Sequence, residues 1–196
     1  MADSSDTETI AEVKDDQGHL LKSISMKSGV PHGETKIFDG NGQLASKLIF
    51  ENGGLSGPAE FFSDGHLLMT TSFKAGKLEG ESTLFSNGSR IGLTRFKKGL
   101  LEGNFTSFDN LGNVTRIAVY ASGQQNGECK SFYPDGTLME HSTYKNNQLD
   151  GEVTKYFPSG NVMEESTYKE GKPCGVIDTY DDDGNLTSSK VMDQEN

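Results

Sequence analysis

Glycine recurs along this chain at a nearly fixed interval. One series is Gly18, Gly42, Gly65, Gly88, Gly112, Gly136, Gly160 and Gly184, spaced by 23 or 24 residues. A second, interleaved series is Gly33, Gly57, Gly80, Gly103, Gly127, Gly151 and Gly175. Two series with one shared period over most of a 196-residue chain are an internal repeat, and a repeat limits the fold to stacked copies of one small unit. The stretch Gly151–Gly175, GEVTKYFPSGNVMEESTYKEGKPCG, shows the unit whole. A strand-like run, a tight turn, a second run and a second turn are the signature of consecutive β-hairpins.

The side chains follow the same spacing. Four residues before the glycine of the first series stand Phe38, Phe61, Leu84, Phe108, Phe132, Tyr156 and Tyr180. Two after it stand Leu20, Leu44, Leu67, Arg90, Val114, Leu138, Val162 and Leu186. Eight after it stand Met26, Phe50, Phe73, Phe96, Tyr120, Tyr144, Tyr168 and Met192. Offsets of two and eight differ by an even number, so these residues share a strand face. At offsets four and six the residues are small or polar, as in Glu140 and Ser142 or Glu164 and Ser166. The expectation is therefore a strand anchored by larger residues at its two ends, with the rings as the packing of the repeat. Asn87-Gly88, Asp135-Gly136, Ser159-Gly160 and Asp183-Gly184 read as hairpin dipeptides. The second turn, as in Ala75-Gly76-Lys77-Leu78-Glu79-Gly80, reads as a longer one carrying two glycines. No helical periodicity longer than about a turn is present.

Composition agrees with a thin β structure. Apolar residues are 32% of the chain, there are 24 glycines, and there is no tryptophan. The net charge is −11. Such a charge disfavours nonspecific binding to nucleic acid or an anionic membrane, and it favours a basic partner or simple solubility. No apolar run approaches the roughly 20 residues of a membrane span. The first residues, MADSSDTETIAEVKDD, have neither the basic nor the apolar region of a signal peptide, so the expected location is cytoplasmic. Residues 1–10 read as a disordered acidic lead-in, 11–190 as the repeat domain and 191–196 as a short tail. Cys129 and Cys174 fall about four strands apart, on the order of 19 Å, and read as free thiols.

The strings GEVTKYFPSG, GECKSFYPDG, YKEGKPCG and FKAGKLEG resemble the MORN repeat, and the spacing is similar to that of the YwqK-type antitoxin family. The resemblance covers roughly residues 11–190. It implies an all-β fold: a single elongated antiparallel sheet of consecutive hairpins. About 15–16 strands at roughly 4.8 Å would run some 70–75 Å. It also implies stability of nearest-neighbour character, with atypical terminal units as caps.

Reaction chemistry finds little footing. His19, His32, His66 and His141 form no cluster with metal-ligand spacing, so no metal or other cofactor is expected. Asp181-Asp182-Asp183-Gly184-Asn185 lacks the flanking acids of a calcium loop and reads as a solvated turn. No serine sits in a nucleophile elbow and no glycine run matches a phosphate loop. Glu164 and Glu165 are adjacent on a strand and so face opposite ways. The chain is read as a binder, not an enzyme. One irregularity marks a candidate contact region: Arg90, Arg95 and Arg116 fall in the central units with Lys97 and Lys98, and Arg90 breaks an apolar slot. This is either local variation or a basic island for a partner's acidic or phosphate group, which an arginine fork suits. The resemblance implies an antitoxin or immunity role, with a basic, cytosol-acting toxin as the protein partner. A structural scaffold or membrane-associated adaptor is the alternative, and a recognition region serving a separate enzyme subunit is a third.

Overall fold

A computed structural model describes residues 7–192. The described residues contain eighteen strands and no helix, and all the strands belong to one antiparallel sheet. The described residues divide into two compact units, residues 7–90 with 95–100 and residues 91–94 with 101–192. The first holds β1 (Glu8–Lys14), β2 (Leu20–Lys27), β3 (Val30–Phe38), β4 (Leu44–Glu51), β5 (Gly54–Ser63), β6 (His66–Lys74), β7 (Lys77–Leu78) and β8 (Gly80–Ser86). Then come β9 (Ser89–Lys97), which contributes to both units, and β10 (Leu100–Leu101). The second unit continues with β11 (Gly103–Phe108), β12 (Val114–Ala121), β13 (Gln124–Phe132) and β14 (Leu138–Lys145). It ends with β15 (Gln148–Tyr156), β16 (Val162–Lys169), β17 (Lys172–Tyr180) and β18 (Leu186–Met192). Single residues, Glu79 and Glu102, interrupt two strands, so joining β7 to β8 and β10 to β11 leaves sixteen strand positions. β1 starts at Glu8 and pairs with β2 from Glu8↔Lys27 onward, so residues 8–10 are strand rather than lead-in. Likewise Val191 and Met192 end β18. The remainder of the two tails lies outside the described residues.

The turns are of two kinds, and their chemistry differs from the sequence reading. Ala75 and Gly76 both have positive φ, 50° and 75°, between the paired residues Lys74 and Lys77. This is a two-residue primed turn whose twist matches that of the flanking strands. Pairing resumes at once, so what reads as a long turn with two glycines is a tight turn followed by strand. The second glycine instead lies at a bulge inside the strand. The other kind is longer. Asp39 N–H donates to the Gln43 carbonyl at 2.8 Å, Gly42 N–H donates to the Asp39 carbonyl at 3.0 Å, and Asp39 Oδ1 accepts from the N–H groups of Asn41 and Gln43. Here the glycine alone is left-handed, and the same holds at Gly136, Gly160 and Gly184. Of the four dipeptides read as hairpin turns, only Asn87-Gly88 has positive φ at both residues. Asp64-Gly65 does too. These two turns are one residue shorter than the rest, which accounts for the 23-residue steps in the ladder.

Within each unit, successive hairpins are tied through their turns. Gly53 N–H donates to the Pro31 carbonyl, Gly76 to Leu55, Gly99 to Leu78, Gly123 to Leu101 and Gly171 to Leu149, each at 2.8–2.9 Å. Stability is thereby built from contacts between neighbours in the stack.

The most buried residues are small. In the first unit a cross-strand row runs Ile24–Thr35–Leu48–Ala59–Thr71, and Thr71 Oγ1 meets Ser82 Oγ at 2.5 Å. In the second the row is Phe105–Ala118–Cys129–Ser142–Val153–Ser166. Ala59, Ser82, Ala118, Cys129, Ser142 and Val153 are 0–4% exposed. The ring series is only half-buried throughout. The rings therefore flank the core rather than fill it. One layer of strands cannot cover a ring on both sides, whereas a small side chain lies close to the backbone and is overlaid by larger neighbours.

Acid should loosen the longer turns. The Asp109 and Asp181 carboxyls are held below the ordinary 3.8, first by the side-chain amides of Asn113 and Asn185 and then by backbone N–H donors. A carboxyl lowered on folding contributes stability that is full above its unfolded value and is lost as pH falls through its folded value. Thermal melts are expected to fall steeply below about pH 4. In an Asp109→Asn/Asp181→Asn variant, whose amide oxygen still caps the turn, the slope there should be shallower. An unchanged slope would exclude these carboxylates as its source.

Candidate functional site

Beside the buried row runs a second cross-strand row on the same face, at offset four from the first-series glycines. In the first unit it reads Lys22–Ile37–Ser46–Phe61–Met69–Leu84 and is largely apolar. In the second it reads Ser107–Arg116–Ser131–Glu140–Lys155–Glu164–Thr179–Ser188 and carries alternating charge. Lys155 Nζ lies 3.0 Å from Glu164 Oε1, and this carboxylate holds Lys155 above its ordinary value. Ser142 Oγ donates to Glu140 at 3.2 Å. On the other flank of the buried row the large residues are Met26, Phe50, Phe73 and Phe96 in one stretch and Tyr120, Tyr144 and Tyr168 in the next. The second unit thus presents phenols and charges where the first presents hydrocarbon.

Arg116 does not project from this face. Its Nε donates to Cys129 Sγ at 3.1 Å and its Nη2 to Gln125 Oε1 at 3.3 Å. Cys129 and Gln125 are opposite Ala118 and Tyr120 respectively, so the side chain lies along the strand over the buried row. The bond to Cys129 is the main cause of its raised pKa. Burial, then the field of Cys129, pushes the Tyr144 phenol up. Gln125 is 7% exposed, and its amide nitrogen has no partner among the described residues. The guanidinium can only donate, so the Gln125 atom facing it is the oxygen. Sequence reasoning found Arg116 but not Gln125 or Lys155. The signal for Lys155 was the change of the offset-four row from apolar to polar, visible only once strands are paired; Gln125 lies opposite Tyr120 on the other flank, and nothing in the sequence pointed to it.

The other basic residues separate. On β9, Arg95 and Lys97 fall on one face and Arg90 on the other with Phe96, because alternate residues point opposite ways. Arg90 and Arg95 are exposed. Lys98 is in the following turn, where its N–H donates to Glu79 Oε2 at 2.8 Å. The structure therefore distributes Arg90, Arg95, Lys97 and Lys98 over two faces and a turn, while Arg116 in the second unit is engaged with its own neighbours. Glu164 and Glu165 also part as expected: Glu164 meets Lys155 and Glu165 accepts from the Tyr180 hydroxyl at 3.0 Å. The Asp181–Asn185 segment is a capped turn, with Asp182 hydrogen-bonded to Ser159 and to Asn161 of the preceding unit. Cys129 and Cys174 are free thiols. Among the described residues no His, Cys, Asp and Glu are grouped to hold a metal ion.

Residues 31–52, 125–146 and 149–170 match the MORN repeat variant. Each match covers one hairpin, from just after one two-residue turn to the first residue or two of the next, so the matched period is the structural unit. The hairpins with the shortened Asp64-Gly65 and Asn87-Gly88 turns lie outside the matches. A comparison with curated protein sequences finds no match.

Proposed function

We propose that this protein is a non-enzymatic, protein-binding repeat protein of the antitoxin or immunity type, similar to the YwqK-type antitoxins, that neutralises a cognate toxin in the cytosol by binding and occluding it. The observation that carries the reading is the repeat itself: three hairpins match the MORN repeat variant within a sheet whose rings are left half-exposed. Rings with one side open supply contact area at small conformational cost. Charge adds to it. The second unit and the residues after it have sixteen of the 29 acidic residues but only seven of the 18 lysines and arginines, which favours a basic partner through steering and complementarity.

The cations Arg90, Arg95, Lys97 and Lys98 are the residues we assign to partner contact in the first unit. Arg116 was singled out with them in the sequence, but its reversal would strand the Gln125 oxygen and uncover Cys129, so lost binding there would report on folding. The test is co-expression with a toxin gene neighbouring its own. Survival is expected with the wild-type protein and reduced survival with Arg90→Glu/Arg95→Glu, at unchanged expression and melting temperature. Survival that never depends on this protein overturns the reading, and co-flotation with anionic vesicles would favour a membrane scaffold instead.

A further inference from the structure

Two stacked turns of the first unit bring together cations that the sequence keeps more than twenty residues apart. Lys74 and Lys77 are cross-strand partners at the Ala75-Gly76 turn. The Lys98-Gly99 turn is seated on this one: Gly99 N–H donates to the Leu78 carbonyl at 2.8 Å and Lys98 N–H to Glu79 Oε2 at 2.8 Å. A Cβ built on Gly99 would stand 3.9 Å from Lys77 Cβ. Between the turns is a shallow depression lined by Lys74, Ala75, Lys77, Glu79 and Lys98, and Lys97 adjoins it. All four lysines are exposed, and none has a carboxylate within ion-pair distance among the described residues. The one carboxylate present, Glu79, is held by a backbone N–H.

The equivalent turns of the second unit are arranged differently. There Lys145, Lys169 and Lys172 stand with Asp150 and Glu170, and Lys169 Nζ is 3.1 Å from Asp150. The position of Lys98 is taken by Glu170 and that of Lys77 by Gln148. So the first unit gathers four cations around a single carboxylate, an excess of positive charge in a chain whose net charge is −11. Like charges gathered this way repel one another until an anion comes between them.

We infer that this depression is a docking site for an acidic segment of a protein partner, whose carboxylates bridge Lys74, Lys77 and Lys98. Successive turns of this kind are two strands apart, roughly 10 Å, and acidic residues at alternate positions of an extended segment share one face about 7 or 14 Å apart, which brackets that distance. Acidic side chains at that spacing can therefore meet lysines of both turns. A polyanion such as a nucleic acid or an anionic bilayer brings many charges against the acidic remainder of the molecule, whereas a short segment brings few and only here. The site does not rest on the toxin-binding reading and can stand or fall without it.

The experiment is fluorescence anisotropy with the full chain and a labelled peptide of alternating glutamate and serine, at low salt. Its glutamine counterpart, inorganic phosphate, an RNA oligonucleotide and phosphatidylserine vesicles serve as competitors. Binding of the glutamate peptide is expected, with a loss of about tenfold in Lys74→Glu/Lys77→Glu and little change in Lys145→Glu/Lys172→Glu. Thermal melts confirm folding, and Lys74→Gln/Lys77→Gln replaces the reversal if it misfolds. The proposal is overturned if the peptide fails to bind or the glutamine peptide binds equally. It is also overturned if the control pair loses as much, or if phosphate, RNA or vesicles compete more strongly than unlabelled glutamate peptide.

Discussion

Replacing Gly151 by alanine is expected to lower the unfolding free energy by about 2–4 kcal/mol, from two independent causes. The first is the backbone. Gly151 has φ +133°, a conformation that a residue with a Cβ adopts only under strain. The second is the neighbour: a Cβ there would stand 3.2 Å from Thr143 Cβ on the adjacent strand. Gly160 separates the two causes, since it has φ +92° and nothing within 4 Å of an added Cβ. Gly160→Ala should therefore cost only about 1 kcal/mol. Measured against Thr143→Gly alone, the addition of Gly151→Ala should cost only the backbone part, since the clashing Cβ is then gone. Urea titrations measure all of these. Equal losses at Gly151 and Gly160 would show that the close approach of the two strands contributes nothing.

The next largest effect is expected in the buried row. Ser142 is fully buried, flanked across the strands by Cys129 and Val153. Ser142→Leu adds two heavy atoms' worth of volume where there is no room and strips Glu140 of a donor. A loss of about 1–3 kcal/mol follows from overpacking alone. Ser142→Ala keeps the space and removes one hydrogen bond, for about 1 kcal/mol or less. If leucine were tolerated as well as alanine, the face would be open enough for side chains to move aside, and the row would not be the core. Leucine placed at an exposed position of this strand, Met139→Leu, serves as the neutral control.

Much of this was legible in the sequence because its cause is local. A turn that needs positive φ selects glycine whatever surrounds it, so Gly42, Gly136 and Gly160 announce hairpins from the chain alone. Alternation then assigns faces, and it correctly separates Glu164 from Glu165. It also places Arg95 and Lys97 opposite Arg90, although their closeness in sequence suggested one island. What local signals miss is any quantity set by a partner strand. The rings at Tyr120 and Tyr144 looked like the core because they are large. They are only half-buried because a one-layer sheet has nothing to lay over them, while Ser142 in the adjacent row is sealed by its neighbours.

The candidate sites divide in the same way. Arg116 stood out in the sequence as one of three arginines, yet its role is fixed by Cys129 and Gln125, 13 and 9 residues away. The lysine depression was half visible, as Lys97 and Lys98. Lys74 and Lys77 join them only because each turn is hydrogen-bonded to the one before it. By itself the sequence determined the repeat, its period, the antiparallel hairpins and the excess of negative charge, since each depends on residue identity and spacing alone. Only the tertiary structure decided which small residues form the buried row, which cations are left without partners, and which arginine is held down. Those depend on strand register and turn stacking, where residues twenty positions apart become neighbours.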